Sequence, residues 1–137
     1  MSKNNKIIKL IDLDIKSYEQ TLSIQKNFFN ETIEIKKNNR KSQSNTLTDN
    51  YLLFVEHHPV ITIGKSGNKD NLLLNNNELL DKGIEFYHTN RGGDITYHGP
   101  GQLVAYPILD LENFFTDIHK FLRLMEESVI NSLEQIN

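Results

Sequence analysis

The sequence predicts an α+β domain, a mixed sheet with helices packed against it. Strand-like and helix-like segments are mixed without strict alternation, which disfavours a doubly wound parallel sheet. The 137 residues are one domain's worth, and they contain no internal repeat and no linker. Hydrophobic residues make up 37% and aromatic residues 9%, enough apolar side chain for a core and too much for a disordered chain.

Lys6–Leu13 carries Ile7, Ile8, Leu10, Ile11 and Leu13 and reads as a strand entering the core. Ser17-x-x-Gln20 fits a capping box at a helix start. Tyr18, Leu22, Phe29 and Ile33 then recur at helical spacing, so a helix is expected from about Ser17 to Asn38, with Lys36, Lys37 and Arg40 favouring its C-terminal end. Arg40–Asn50 crowds Ser, Asn, Thr and Asp together and reads as a mobile loop. Tyr51–Glu56 and Val60–Ile63 read as strands separated at Pro59, and Gly64–Gly67 as a turn. A polar stretch leads to a short helix near Asn77–Lys82 that stops at Gly83, and Ile84–His88 is again strand-like. Arg91–Gln102 is glycine-rich. Leu103–Leu111 is apolar and broken by Pro107. The last helix is expected to begin near Thr116 as N-cap, with the stripe Ile118, Phe121, Leu122, Met125, Val129, Leu133 and Ile136 partly buried on the upstream sheet.

Composition excludes several classes of function. A formal net charge of -3 argues against a broad nucleic-acid-binding surface. The chain has no cysteine, which removes disulfides, Cys-based zinc sites, iron–sulfur clusters and a thiol nucleophile from these residues. The N-terminus lacks the apolar segment and cleavage site of a signal peptide, and no apolar run reaches the ~18 residues of a spanning helix. A cytoplasmic protein without membrane attachment is the expectation.

The chemistry concentrates in Arg91-Gly92-Gly93-Asp94-Ile95-Thr96-Tyr97-His98-Gly99-Pro100-Gly101-Gln102. Glycines permit close backbone approach to a ligand. Beside them stand a permanent cation (Arg91), the hydroxyls of Thr96 and Tyr97, and the His98 imidazole. If Asp94–His98 is a short strand, period two puts Thr96 and His98 on one face and Ile95 and Tyr97 on the other. That suits the wall of an apolar cleft with a few aimed polar groups. Tight turns and a structural histidine would also account for the segment.

This segment, continued through Val104 and Tyr106, resembles the signature of the lipoyl(octanoyl) transferases. Leu53-Phe54-Val55-Glu56-His57-His58-Pro59-Val60-Ile61-Thr62-Ile63-Gly64-Lys65 is similar to the family's earlier strand pair, and Tyr106–Leu111 to the strand after the signature. The resemblance implies the fold of the biotin and lipoate protein ligases. It implies transfer of an octanoyl group from octanoyl-acyl carrier protein to a lysine of a lipoyl domain, with no cofactor and no metal. It makes Arg91, Gly92, Gly93, Asp94, Ile95, Thr96, Tyr97 and His98 substrate-binding residues that orient the acyl thioester.

The resemblance also implies a catalytic lysine and cysteine downstream of the last helix. With no cysteine in the chain, the 137 residues read as the N-terminal portion of a longer enzyme, a single domain incomplete at its C-terminus. No catalytic residue is assigned within it, and no turnover is expected from it alone. Two other functions compete. An ATP-dependent lipoate ligase would carry a serine-glycine triplet before the Tyr-His pair and an Asp after it, whereas Gly92-Gly93-Asp94 precedes it here and Gly99-Pro100-Gly101 follows. A non-catalytic module that binds an acyl chain or carrier protein fits the absent cysteine.

Other residues invite plainer readings. His57 and His58 are neighbours on a strand and point to opposite faces, so both cannot readily hold one metal ion. They read as solvated or core-edge histidines. His88 and His119 have no partner at ligand spacing. Gly64-Lys65-Ser66 lacks the upstream glycine of a phosphate-binding loop, and Lys65 reads as a solvated or substrate-facing charge. Phe114-Phe115 is expected to pack into the core, with contact to a partner as the alternative. Lys36–Lys41 reads as a solvated helix end, or as a docking patch for an acidic carrier protein.

Overall fold

The computed structural model describes residues 4–136; the sequence readings at residues 1–3 and at Asn137 lie outside them. The chain runs β1 (Ile8–Lys16), α1 (Tyr18–Ser42), β2 (Asn50–His57), β3 (Val60–Ile63), α2 (Asn76–Asp81), β4 (Glu85–His88), β5 (Ile95–His98), β6 (Leu103–Ile108) and α3 (Ile118–Glu134). Single 3-10 turns lie at Lys69–Asn71 and Leu111–Asn113. The strands form two mixed three-stranded sheets, ordered β1-β2-β6 and β4-β3-β5. In each, the central strand has one parallel and one antiparallel neighbour. This is the expected α+β class, divided into two sheets that are joined through His58-Pro59 between β2 and β3 and through residues 99–102 between β5 and β6.

The core lies on the central strands. In β2, Tyr51, Leu53, Val55 and His57 alternate inward, and Leu53 and Val55 are almost fully buried. All four residues of β3 are buried. Phe28 of α1 stacks on Tyr51 with ring centroids 4.0 Å apart.

The Ser17 side chain accepts from the Gln20 amide (3.3 Å) and starts α1, which runs four residues past the expected Asn38. Helix propensity in Asn39–Ser42 is sustained by packing, since the Asn39 side chain reaches across to the Thr46 carbonyl (2.8 Å) and amide (3.0 Å). The loop at 43–49 is tied down accordingly rather than free. The short helix α2 carries a capping box between Asn75 and Glu78 and ends at Gly83 with φ +62°. Pro107 sits inside β6, which pairs only with β2 among the described residues, so its missing amide costs no ladder bond.

Four expectations are corrected. β1 does not enter the core: it is the outer strand beside β2, with Leu10 and Ile15 about three-fifths exposed and a bulge between Asp12 and Ile15. The N-cap of α3 is Asp117, not Thr116, because its carboxylate accepts from both His119 (2.9 Å) and Lys120 (3.0 Å) amides. The α3 stripe is not buried on the sheet; only Phe121 and Met125 of this helix are even half-buried. Phe114 and Phe115 are likewise half-buried rather than core.

The lysines at the end of α1 are not a uniform solvated patch either. Lys36 pairs with Asp110 (2.8 Å) and Glu112 (3.1 Å). Burial pushes the Asp110 carboxyl up, and the hydrogen bonds from Lys36 and Thr48 overcome this and hold it below its ordinary value. Asp110, Thr48, Asn50 and Asn113 form a buried polar cluster that fastens the N-terminal segment to the exit of β6. Each buried polar atom here has a partner, which is what keeps such a cluster from being a net cost.

Candidate functional site

A cleft of about 640 Å³ opens between α1 and the two sheets. One face of α1 supplies Tyr18, Leu22, Gln25 and Lys26, β3 supplies Thr62, and β6 supplies Val104 and Tyr106. The glycine-rich segment supplies Arg91, Thr96 and His98. Volume and lining are those of a small-molecule site, apolar walls with a few placed polar groups.

Arg91 is fixed from several sides. Its Nη2 donates to the Thr62 carbonyl (2.9 Å), the Thr62 hydroxyl (2.8 Å) and the Asp94 carbonyl (2.8 Å), its Nε to the Thr62 hydroxyl (3.3 Å) and its Nη1 to the Gly92 carbonyl (2.8 Å). Every acceptor is neutral, and among the described residues no carboxylate forms an ion pair with it. The cation therefore reaches the cleft with its charge uncancelled by a salt bridge. The turn that carries it packs on the end of β3. Gly64 donates to the Asp94 carbonyl (3.3 Å) and Lys65 to the Arg91 carbonyl (3.0 Å). A Cβ at Gly64 would lie 2.2 Å from the Gly93 carbonyl oxygen, so only glycine admits this approach.

β5 has the expected period. Thr96 and His98 face the cleft; Thr96 lies opposite Thr62 in the ladder, and His98 Nδ1 donates to the Gln102 side-chain oxygen (2.6 Å). Ile95 and Tyr97 lie on the other face, Tyr97 being half exposed. Gly92, Gly93 and Asp94 do not line the cleft; they build the turn. The Asp94 carboxylate accepts from the Asn71 side chain and the Asn68 amide (2.9 Å), and the Asn71 hydrogen bond holds its pKa below the ordinary value. The structure thus brings Arg91, Thr96 and His98 together and leaves the other five residues behind or beside them.

Tyr106, Tyr18 and Thr62 also line this cleft, with His57 behind Tyr106, and no local pattern in the sequence assigns them to it. His57 is fully buried, with Nδ1 2.9 Å from the Lys16 carbonyl oxygen and Nε2 3.0 Å from the Tyr106 hydroxyl. Burial pushes the imidazole down from its ordinary value and the Tyr106 phenol up to about 12. Both are neutral near pH 7. His57 is thus not solvated, and among the described residues no group of three or more His, Asp or Glu is placed to hold a metal ion. His88 is exposed at the rim of the cleft, and Lys65 is exposed in its turn.

The α+β scaffold presents an ordered guanidinium and two strand hydroxyls over a largely apolar cleft, the architecture of a small-molecule pocket. The lipoyl protein ligase A/B catalytic domain matches residues 17–137, and the chain belongs to that family. It is 57% identical over 131 residues to an octanoyltransferase of Flavobacterium johnsoniae, covering 96% of this chain and 56% of that protein. It is 48% identical over 140 residues to an octanoyltransferase of Cytophaga hutchinsonii, covering 100% of this chain and 57% of that protein. The chain spans little more than half the length of the curated relatives it matches. Its fold is similar to a solved chain from Thermoplasma acidophilum, from a bi-partite lipoate protein ligase studied with its lipoyl domain. The TM-score is 0.57 at 22% identity, over 92% of this chain and 44% of that one.

Proposed function

We propose that this chain carries the acyl-binding part of an octanoyltransferase, the enzyme class that moves an octanoyl group from octanoyl-acyl carrier protein to a lysine of a lipoyl domain. The observation that carries the reading is the cleft itself, with Arg91, Thr96 and His98 on one wall and Leu22 and Val104 on another, in a chain 57% identical to an octanoyltransferase. An eight-carbon chain buried there would gain about 0.8 kcal/mol per methylene, about 5 kcal/mol before ordering costs. Arg91 and the neighbouring hydroxyls can donate to the acyl carbonyl oxygen and hold it against the strand, a fixed-dipole arrangement suited to charge developing on that oxygen. Gly92, Gly93 and Asp94 keep Arg91 in register, and Ile95 and Tyr97 pack the far side of β5.

The covalent step is not assigned to this chain, because none of its 137 residues is a cysteine. The reading places its work in the cytoplasm, with no cofactor and no metal. The test combines the purified chain with S-octanoyl-pantetheine in a calorimeter, and separately with octanoyl-acyl carrier protein and an apo lipoyl domain. Saturable binding of the thioester without octanoyl transfer is expected. No binding overturns the reading, and transfer above the blank rate overturns the assignment of the covalent step elsewhere. Binding of radiolabelled ATP would favour a ligase instead.

A further inference from the structure

Acyl binding leaves one polar pair at the cleft without a task, the half-buried Tyr106 on its wall and the buried His57 hydrogen-bonded behind it. Their hydrogen-bond directions follow from elementary donor and acceptor rules. The Lys16 carbonyl can only accept, so His57 Nδ1 carries the hydrogen. In the neutral ring Nε2 then has a lone pair and no hydrogen. The Tyr106 hydroxyl, 3.0 Å away, must donate to it. A phenol has one hydrogen. With that hydrogen committed to His57, the Tyr106 oxygen can offer the cleft only its lone pairs. Full burial of His57 keeps this arrangement from being scrambled by water.

We propose that His57 is a positioning residue that holds Tyr106 as a fixed hydrogen-bond acceptor, and that the Tyr106 oxygen receives an N–H of the amine being acylated and then of the amide formed. The proposal rests on the acyl-transfer reading and names how that site receives its second substrate. An N–H donated to Tyr106 turns the amine lone pair away from the phenol and leaves it free to face a carbonyl held by Arg91. No covalent step is assigned to Tyr106. A site that presents a committed acceptor penalises an isostere lacking the N–H, because the ligand then covers the half-buried oxygen without pairing it.

Two simple probes isolate this contact, N-butyloctanamide and its ester isostere butyl octanoate. Their dissociation constants are measured by calorimetry at about pH 8 with the same protein preparation, so the ratio is independent of the folded fraction. The ratio favouring the amide is expected to fall about tenfold in Tyr106→Phe relative to the unsubstituted chain. It should fall similarly in His57→Phe, where the phenol is free to turn its hydrogen into the cleft. His57→Gln offers Tyr106 an oxygen acceptor and should restore the preference. Equal ratios in the unsubstituted chain and Tyr106→Phe overturn the inference and leave the acyl reading intact. A full preference in His57→Phe overturns the positioning role. Failure of both probes to bind overturns the acyl reading, and the inference with it.

Discussion

His57 couples stability to pH as well as setting a hydrogen-bond direction. Burial is the main force lowering its pKa, with the nearby His98 and His58 adding to it and the Lys16 carbonyl opposing it. Tyr18, from α1, and Tyr106, from β6, complete its surroundings and stay uncharged there. The unfolded chain therefore takes up its proton near the ordinary value of 6.5, and the folded one only at lower pH. This contribution to stability is present above pH 6.5 and is lost as pH falls towards the folded value. The thermal midpoint should drop between about pH 7 and about pH 5. His57→Gln should flatten that drop, as followed by circular dichroism. The carboxylates held below their ordinary values, Glu34, Asp94 and Asp110, act only in a more acidic window. His57 was legible one residue beyond the expected strand end. Tyr51, Leu53, Val55 and His57 share one phase, so extending the alternation by a single position would have put the imidazole inside. Its partner Tyr106 was not legible, because pairing across the sheet is set by register rather than by local pattern.

Among the elements, the strands and helices were readable to within a few residues, and the Thr96/His98 face of β5 was readable from period two. The role of Gly92, Gly93 and Asp94 was not, since it depends on a turn 27 residues upstream, where Ser66 Oγ reaches the Gly93 carbonyl (3.4 Å). Gly64 is the keystone of that contact. Gly64→Ala would drive a methyl into the Gly93 carbonyl, and neither partner can yield without moving backbone. A loss of about 1–3 kcal/mol in chemical denaturation is expected, together with weaker binding of S-octanoyl-pantetheine as Arg91 shifts. Gly83→Ala, in open space but at positive φ, should cost about 1 kcal/mol and leave that binding unchanged.

On the scale of the whole molecule, apolar surface is unevenly distributed. Ile118, Leu122, Val129, Leu133 and Ile136 are each more than half exposed, as are Leu10 and Ile15 of β1. The α3 spacing was visible in the sequence as an amphipathic helix. Which surface it would cover was not, because an apolar stripe specifies burial without naming a partner. A contiguous apolar stripe of this kind drives association. The isolated chain should sediment as concentration-dependent oligomers, and the double substitution Leu122→Glu and Val129→Lys should shift it towards the monomer. Thermal midpoint should change little, since neither side chain is buried.

The cleft takes Thr96 and His98 from one sheet, Arg91 from the turn beside it, and Val104 and Tyr106 from the other sheet, and among the described residues the chain crosses between the sheets twice, at His58-Pro59 and at Gly99-Pro100-Gly101-Gln102, each crossing holding a proline. Proline fixes one of the few torsions in so short a span. Mechanically the molecule is a pair of jaws strapped together by two short, proline-bearing crossings, which limit how far the two walls of the cleft can part.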